Sequence, residues 1–127
     1  MSVEELYERC MELATMEPSA VTNRFMHETL VLCCAGALKT VGTGFGNLFS
    51  QVDYLAKRSG MTVAHRMAVQ QMRRHSNHAE VLGREEWLQD VHALALFVSA
   101  VFKTGIPGEL LRRLPLPPSS LHLQPSD

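Results

Sequence analysis

The stretch EEWLQDVHALALFVSAVFK, residues 85–103, decides the fold. Trp87, Val91, Leu94, Val98 and Val101 recur at spacings of four and three, which is the period of one helix face. Between Val91 and Phe102 only His92 and Ser99 are polar. A helix this apolar needs neighbours on more than one side, so it belongs at the centre of a helical assembly. Glu85, Glu86 and Asp90 suit its positive N-terminal end. Its second side carries Phe97 among Asp90, Ala93, Ala100 and Thr104. A large ring framed by small residues suits helix-on-helix contact, made either by another helix of the chain or by a second copy. Ala93, Phe97 and Ala100 are thus candidate interface residues.

The flanking sequence repeats the helical period. A first helix is expected from Ser2, with Glu5 completing a capping box; Val3, Leu6, Cys10, Leu13 and Ala14 form its inner stripe. Pro18 breaks it, and Ser19 can cap a second helix carrying Val21, Phe25, Leu32 and Ala35, apolar on nearly all sides from Thr29 to Leu38. Gly42 supplies a stop. The third helix lines up Phe45, Leu48, Phe49, Val52, Leu55 and Ala56, and Gly60 ends it. Thr62 caps a fourth, expected to turn Val63, Met67, Ala68 and Met72 inward and Arg66, Gln70, Arg73, Arg74 and Asn77 outward. No run of β-branched residues alternates with period two. The expectation is an all-α, antiparallel bundle of about five helices over residues 1–106. Gly105, Pro107 and Gly108 close it. Residues 107–127 read as a short helical turn and an extended Pro/Ser-rich tail or linker, a composition compatible with one domain of a larger protein.

At 127 residues, 46% hydrophobic and 20% charged, the chain has the balance of one globular domain. A net charge of −1 gives no whole-molecule attraction to nucleic acid or an anionic membrane. The opening Met1-Ser2-Val3-Glu4-Glu5 lacks the apolar core of a signal peptide, and no apolar run approaches the roughly 20 residues that span a bilayer. A cytoplasmic protein without membrane contact is expected. Cys10, Cys33 and Cys34 fit buried, unpaired thiols, because neighbouring helical positions point too far apart for a bridge.

Charge is unevenly distributed. Residues 54–79 hold Lys57, Arg58, Arg66, Arg73, Arg74, His65, His75 and His78 without an acid. The first 30 residues carry Glu4, Glu5, Glu8, Glu12, Glu17 and Glu28 against Arg9 and Arg24. Arg66, Gln70, Arg73 and Asn77 share one helix face by spacing. Lys57, Arg58, Arg66, Gln70, Arg73, Arg74, Asn77 and His78 are the candidate binding residues. Such a face could meet an acidic protein surface, pair with the acidic first helix within the chain or across a homodimer, or grip a phosphate backbone.

Other patterns lead less far. His75 and His78 can share a helix face, but neither Glu-x-x-His pairs nor paired cysteines accompany them, so no metal and no cofactor is expected. The glycines of Gly42-Thr43-Gly44-Phe45-Gly46-Asn47 follow a helix, not a strand, and read as a tight turn whose amides could hold an anion. Arg73 followed after four residues by His78 is similar to the R-x4-6-H motif of HEPN-type helical ribonucleases. That resemblance covers two residues; it implies a pair at a helix end that promotes attack by a ribose 2′-hydroxyl. The first expectation is a non-catalytic, self-associating binding or assembly module. A nucleic-acid-binding accessory domain comes second, and a HEPN-like ribonuclease third.

Overall fold

The computed structural model describes residues 1–41, 46–78 and 81–115. It is an all-α bundle: α1 (Val3–Thr15), α2 (Ala20–Val41), α3 (Leu48–Arg58), α4 (Val63–Ser76), α5 (Arg84–Phe102) and the one-turn α6 (Gly108–Leu111). Helices α2 and α5 each touch α1, α3 and α4 as well as one another, and so occupy the centre. The expected boundary signals operate. Ser2 and Glu5 form the reciprocal capping box of α1, and Thr62 accepts from the His65 amide at the start of α4. Gly60, at φ 73°, closes α3 in the left-handed region that glycine enters without strain. Lys103, at φ 55°, rather than Gly105, takes that role after α5.

Helix α5 is buried around most of its circumference, including Trp87, Val91, Leu94 and Val98 on one side and Ala93 and Phe97 on the other. Phe97 is 0% exposed within the single chain. The chain's own helices therefore fill the face proposed as an interface, and Ala93 and Phe97 offer nothing to a second copy; Ala100 is half-buried. The Trp87 indole donates to the Leu13 carbonyl at 2.8 Å inside the core, joining α5 to α1. Arg84 reaches the same helix end, donating to the carbonyls of Ala14 (3.0 Å) and Met16 (2.7 Å). Since α1 has no basic residue in its last turn, this arginine supplies the cation its negative end favours. Tyr7 and Thr104 share a 2.8 Å hydrogen bond, and Leu110 of α6 is buried in the core, with α6 packed on α1.

Two expected stripes are rotated. On α2 the inward positions are Met26, Leu30, Cys33, Cys34, Ala37 and Leu38, while Val21 and Ala35 are exposed. With apolar residues on most sides from Thr29 to Leu38, periodicity could not choose the face. Polar anchors choose it: Thr29 accepts from the Arg9 guanidinium at 2.8 Å, and the Asn23 amide donates to the His78 carbonyl at 3.1 Å. On α4 the buried side is Ala68, Val69, Met72 and Ser76, and Val63 and Met67 face water. Turning α4 to bury Met67 would carry Val69 outward. Phe49 of α3, expected in the core, is also exposed. Phe45 and the Gly42–Gly44 turn lie outside the described residues.

Among the described residues no helix is long and apolar enough to cross a membrane. All three cysteines are buried and unpaired. Burial pushes Cys10 and Cys34 up to about 12 and raises Cys33 well above its usual value. A thiol reagent at pH 8 should leave all three unmodified in the native chain and modify all three in denaturant; native labelling would contradict the packing. Trp87→Phe, which removes the indole hydrogen bond and buried ring volume while the Met16 amide still serves the Leu13 carbonyl, should cost roughly 1–3 kcal/mol in urea unfolding. Met67→Ser should stay within about 0.5 kcal/mol of the parent.

Candidate functional site

Asn47 caps α3 by accepting from the Ser50 amide at 2.8 Å, and the short link through Gly60 and Thr62 returns α4 alongside it. One residue per turn of α3, Phe49, Asp53 and Lys57, then makes a ridge facing Val63, Arg66, Met67, Gln70, Gln71 and Arg74 of α4. Between the ridges runs a groove of about 350 Å³. Its apolar members are well exposed: Phe49 by 49%, Val63 by 60% and Met67 by 61%. Three large apolar side chains meeting in one depression differ from singly exposed ones such as Val21, Val81 and Leu111.

The candidate cations are placed around this groove unequally. Arg66, half-buried, and Arg74, exposed, line it directly. Lys57 lines it too, with its ammonium 3.0 Å from Asp53. Asp53 stands one residue before the acid-free stretch, so the face lacks acids in sequence but not in space. Arg73 is held at the upper edge, donating to the Gln70 amide oxygen at 2.7 Å with its guanidinium 5.4 Å from the Phe49 ring centroid. Gln70 in turn donates to the Phe49 carbonyl at 3.2 Å and ties α4 to α3. Burial, and then the charge of neighbouring Arg74, lower the proton affinity of Arg73. Arg58 turns to Tyr54, donating to its hydroxyl at 3.3 Å, and lines an adjoining depression on the other side of the Phe49, Asp53 and Lys57 ridge.

Asn77 and His78 belong elsewhere. Asn77 is the C-cap of α4, and with His78, Ser76, Asn23, Arg24 and His27 it lines a hollow on the α2 side. Arg73, engaged with Gln70 and Phe49, is directed to the α3 side. The structure thus brings Lys57, Arg66, Gln70 and Arg74 to one groove, sets Arg73 at its edge, and separates Arg58, Asn77 and His78 from it. The acidic α1 packs on α5, α2 and α6 and, among the described residues, touches neither α3 nor α4. Its outer glutamates therefore do not neutralise the basic face within the chain.

A second polar cluster lies behind α4. His75 Nδ1 is 2.8 Å from Asp90 Oδ2, and Asp90 is buried. Ser76 Oγ donates to the Arg73 carbonyl at 3.0 Å and stands 3.4 Å from His27 Nδ1. Serine, histidine and carboxylate are all present, but the histidine facing the serine is not the one facing the carboxylate. A serine–histidine–carboxylate relay needs one imidazole between both. The His75–Asp90 pair instead joins α4 to α5. Among the described residues no three His, Cys, Asp or Glu side chains gather as a metal site.

The apolar half of the groove is not evident from sequence, because periodicity points Phe49, Val63 and Met67 toward the core. One signal was available: Val63, Arg66, Met67, Gln70 and Arg74 share a single helix face by spacing.

Asp90 yields a pH prediction. Desolvation raises its carboxyl to about 6 from 3.8, against the hydrogen bond and charge of His75, which lower it; Glu86 raises it further. The folded state holds this proton more tightly than the unfolded state, so the contribution is fully present below the unfolded value and is lost as pH rises through about 6. From pH 4 to pH 7 the chain should lose up to ~2 kcal/mol relative to Asp90→Asn in urea unfolding, the difference levelling off near neutrality. A pH-independent difference would show that Asp90 keeps its ordinary affinity.

Comparison with protein families, with curated proteins and with solved structures finds no match to this chain.

Proposed function

We propose that this protein is a non-catalytic binding or assembly module whose working surface is the α3–α4 groove, and that its partner is a protein. The carrying observation is the meeting of exposed Phe49, Val63 and Met67 with Lys57, Arg66 and Arg74 in one depression. Exposed apolar side chains enclosed by polar ones are the chemistry of a protein interface, where apolar contact supplies affinity and charge selects the partner. A phosphate backbone draws only on the cations and gains nothing from Val63 and Met67. Phe49, the ring a base could stack on, already lies against the Arg73 guanidinium. Arg73 and His78, the pair that resembles the ribonuclease motif, serve different surfaces. Ser76, His27, His75 and Asp90 bond to one another and to the main chain, not toward a common point.

A photo-crosslinking residue at position 67, compared with one at exposed Leu111 on α6, tests this reading in extract of the source cells. Discrete protein adducts are expected from position 67 alone, with at least a tenfold loss when Arg66→Glu and Arg74→Glu are combined. Adducts removed by nuclease would replace the protein partner with nucleic acid. Equal labelling from both positions would overturn the assignment of the groove.

A further inference from the structure

We infer that the groove's occupant is an acidic amphipathic helix carried by another protein, laid between α3 and α4 as a third rod. This rests on the binding-module reading above and goes beyond it by naming the partner's chemistry.

Shape supplies the first argument. Phe49, Asp53 and Lys57 repeat every four residues, as do Val63 and Met67 and, beside them, Gln70 and Arg74. Ridges of that period on two adjacent helices leave a furrow suited to the side chains of a third helix. Phe49, Val63 and Met67 are exposed in the furrow, so a rod can cover them without entering the core.

Composition supplies the second. Phe49, Val63 and Met67 require apolar side chains on the occupant at spacings of three and four. Lys57, Arg66 and Arg74 flank that strip. Only Lys57 has an acidic neighbour within the groove, Asp53, and Arg73 is packed beside Arg74. Like charges gathered this way are relieved by carboxylates on the occupant's flanks.

Among the described residues, the chain's own acidic helix does not provide such a strip. That helix is α1, and its apolar stripe, through Leu6, Cys10 and Leu13, is sealed in the core at 0–1% exposure. A second copy docking through α1 would bring only its outer glutamates and would leave Met67 and Val63 wet. Exposed ion pairs alone contribute about 0–1 kcal/mol each and would not hold two copies together. The occupant must present grease and acid on one helix at once.

The test is fluorescence anisotropy of a synthetic helical peptide with leucines at three- and four-residue spacing and glutamates on both flanks, titrated with the full chain. Saturable binding is expected, weakened at least tenfold by Met67→Ser and at least tenfold by Arg66→Glu with Arg74→Glu, in variants whose circular dichroism and unfolding midpoints match the parent. Two control peptides, one with serines for leucines and one with lysines for glutamates, should each bind at least tenfold more weakly. Equal binding of the serine peptide would reduce the interaction to counter-charge, and equal binding of the lysine peptide to unspecific grease; either overturns the inference. Displacement of the peptide by unlabelled chain, with concentration-dependent sedimentation, would put a second copy in the groove and overturn it too. If no peptide binds while adducts from position 67 persist, this inference fails and the binding-module reading stands. Loss of both removes both.

Discussion

The bundle depends on the burial of α5, and that burial is held in register against α1 by the buried Trp87 hydrogen bond, with Arg84 bonding the same helix end. The Trp87 indole places the largest side chain of the core against the end of α1 and adds a second donor to the Leu13 carbonyl, which also accepts from the Met16 amide. Apolar contact alone is non-directional and would tolerate α1 sliding along its neighbour. A donor on a rigid ring, matched to one carbonyl, does not. Once α1 and α2 cover one part of α5, α3 and α4 cover the rest, and the Asp90–His75 pair joins α4 to it from within. The groove exists because α3 and α4 are both turned inward toward α2 and α5, so their outer ridges are left side by side.

What could be read from the sequence follows from how much each element's chemistry restricts it. Helix α5 was legible because Trp87, Val91, Leu94 and Val98 repeat along a segment with almost no competing polar residues. Capping by Ser2, Glu5 and Thr62, and the stop at Gly60, were legible because each is decided within three or four residues. The inward faces of α2 and α4 were not. On α2 the apolar residues are too many to select a side, and the choice falls to Asn23 and Thr29, whose partners lie 55 and 20 residues away. On α4 two stripes compete, one through Met67 and one through Val69, and they differ by a fraction of a turn. The winner is set by contact with α2, α3 and α5, which no local window contains.

The same ambiguity hid half of the candidate site. Its cations were evident from charge and spacing, yet the apolar residues among them had been placed in the core, so the face read as purely basic. Residue type alone does not separate a buried methionine from an exposed one. The misfit is informative in itself: α4 carries more apolar residues than its inward side has room for, and a surplus retained on a rigid outer ridge is where a binding surface is expected. Arg58 and His78 show the converse. Each is close in sequence to the groove residues, yet Arg58 faces the depression on the far side of the α3 ridge and His78 the hollow beside α2.

The reach of Arg84 bears on biogenesis. Among the six helices α1 leaves the ribosome before the others, yet the groups that complete its far end, Arg84 and Trp87, are about 70 residues downstream. The earliest helix of the bundle is therefore among the last whose ends are satisfied. Until the fifth helix arrives, α1 is an amphipathic segment with an uncovered greasy stripe, the kind of segment that chaperones hold.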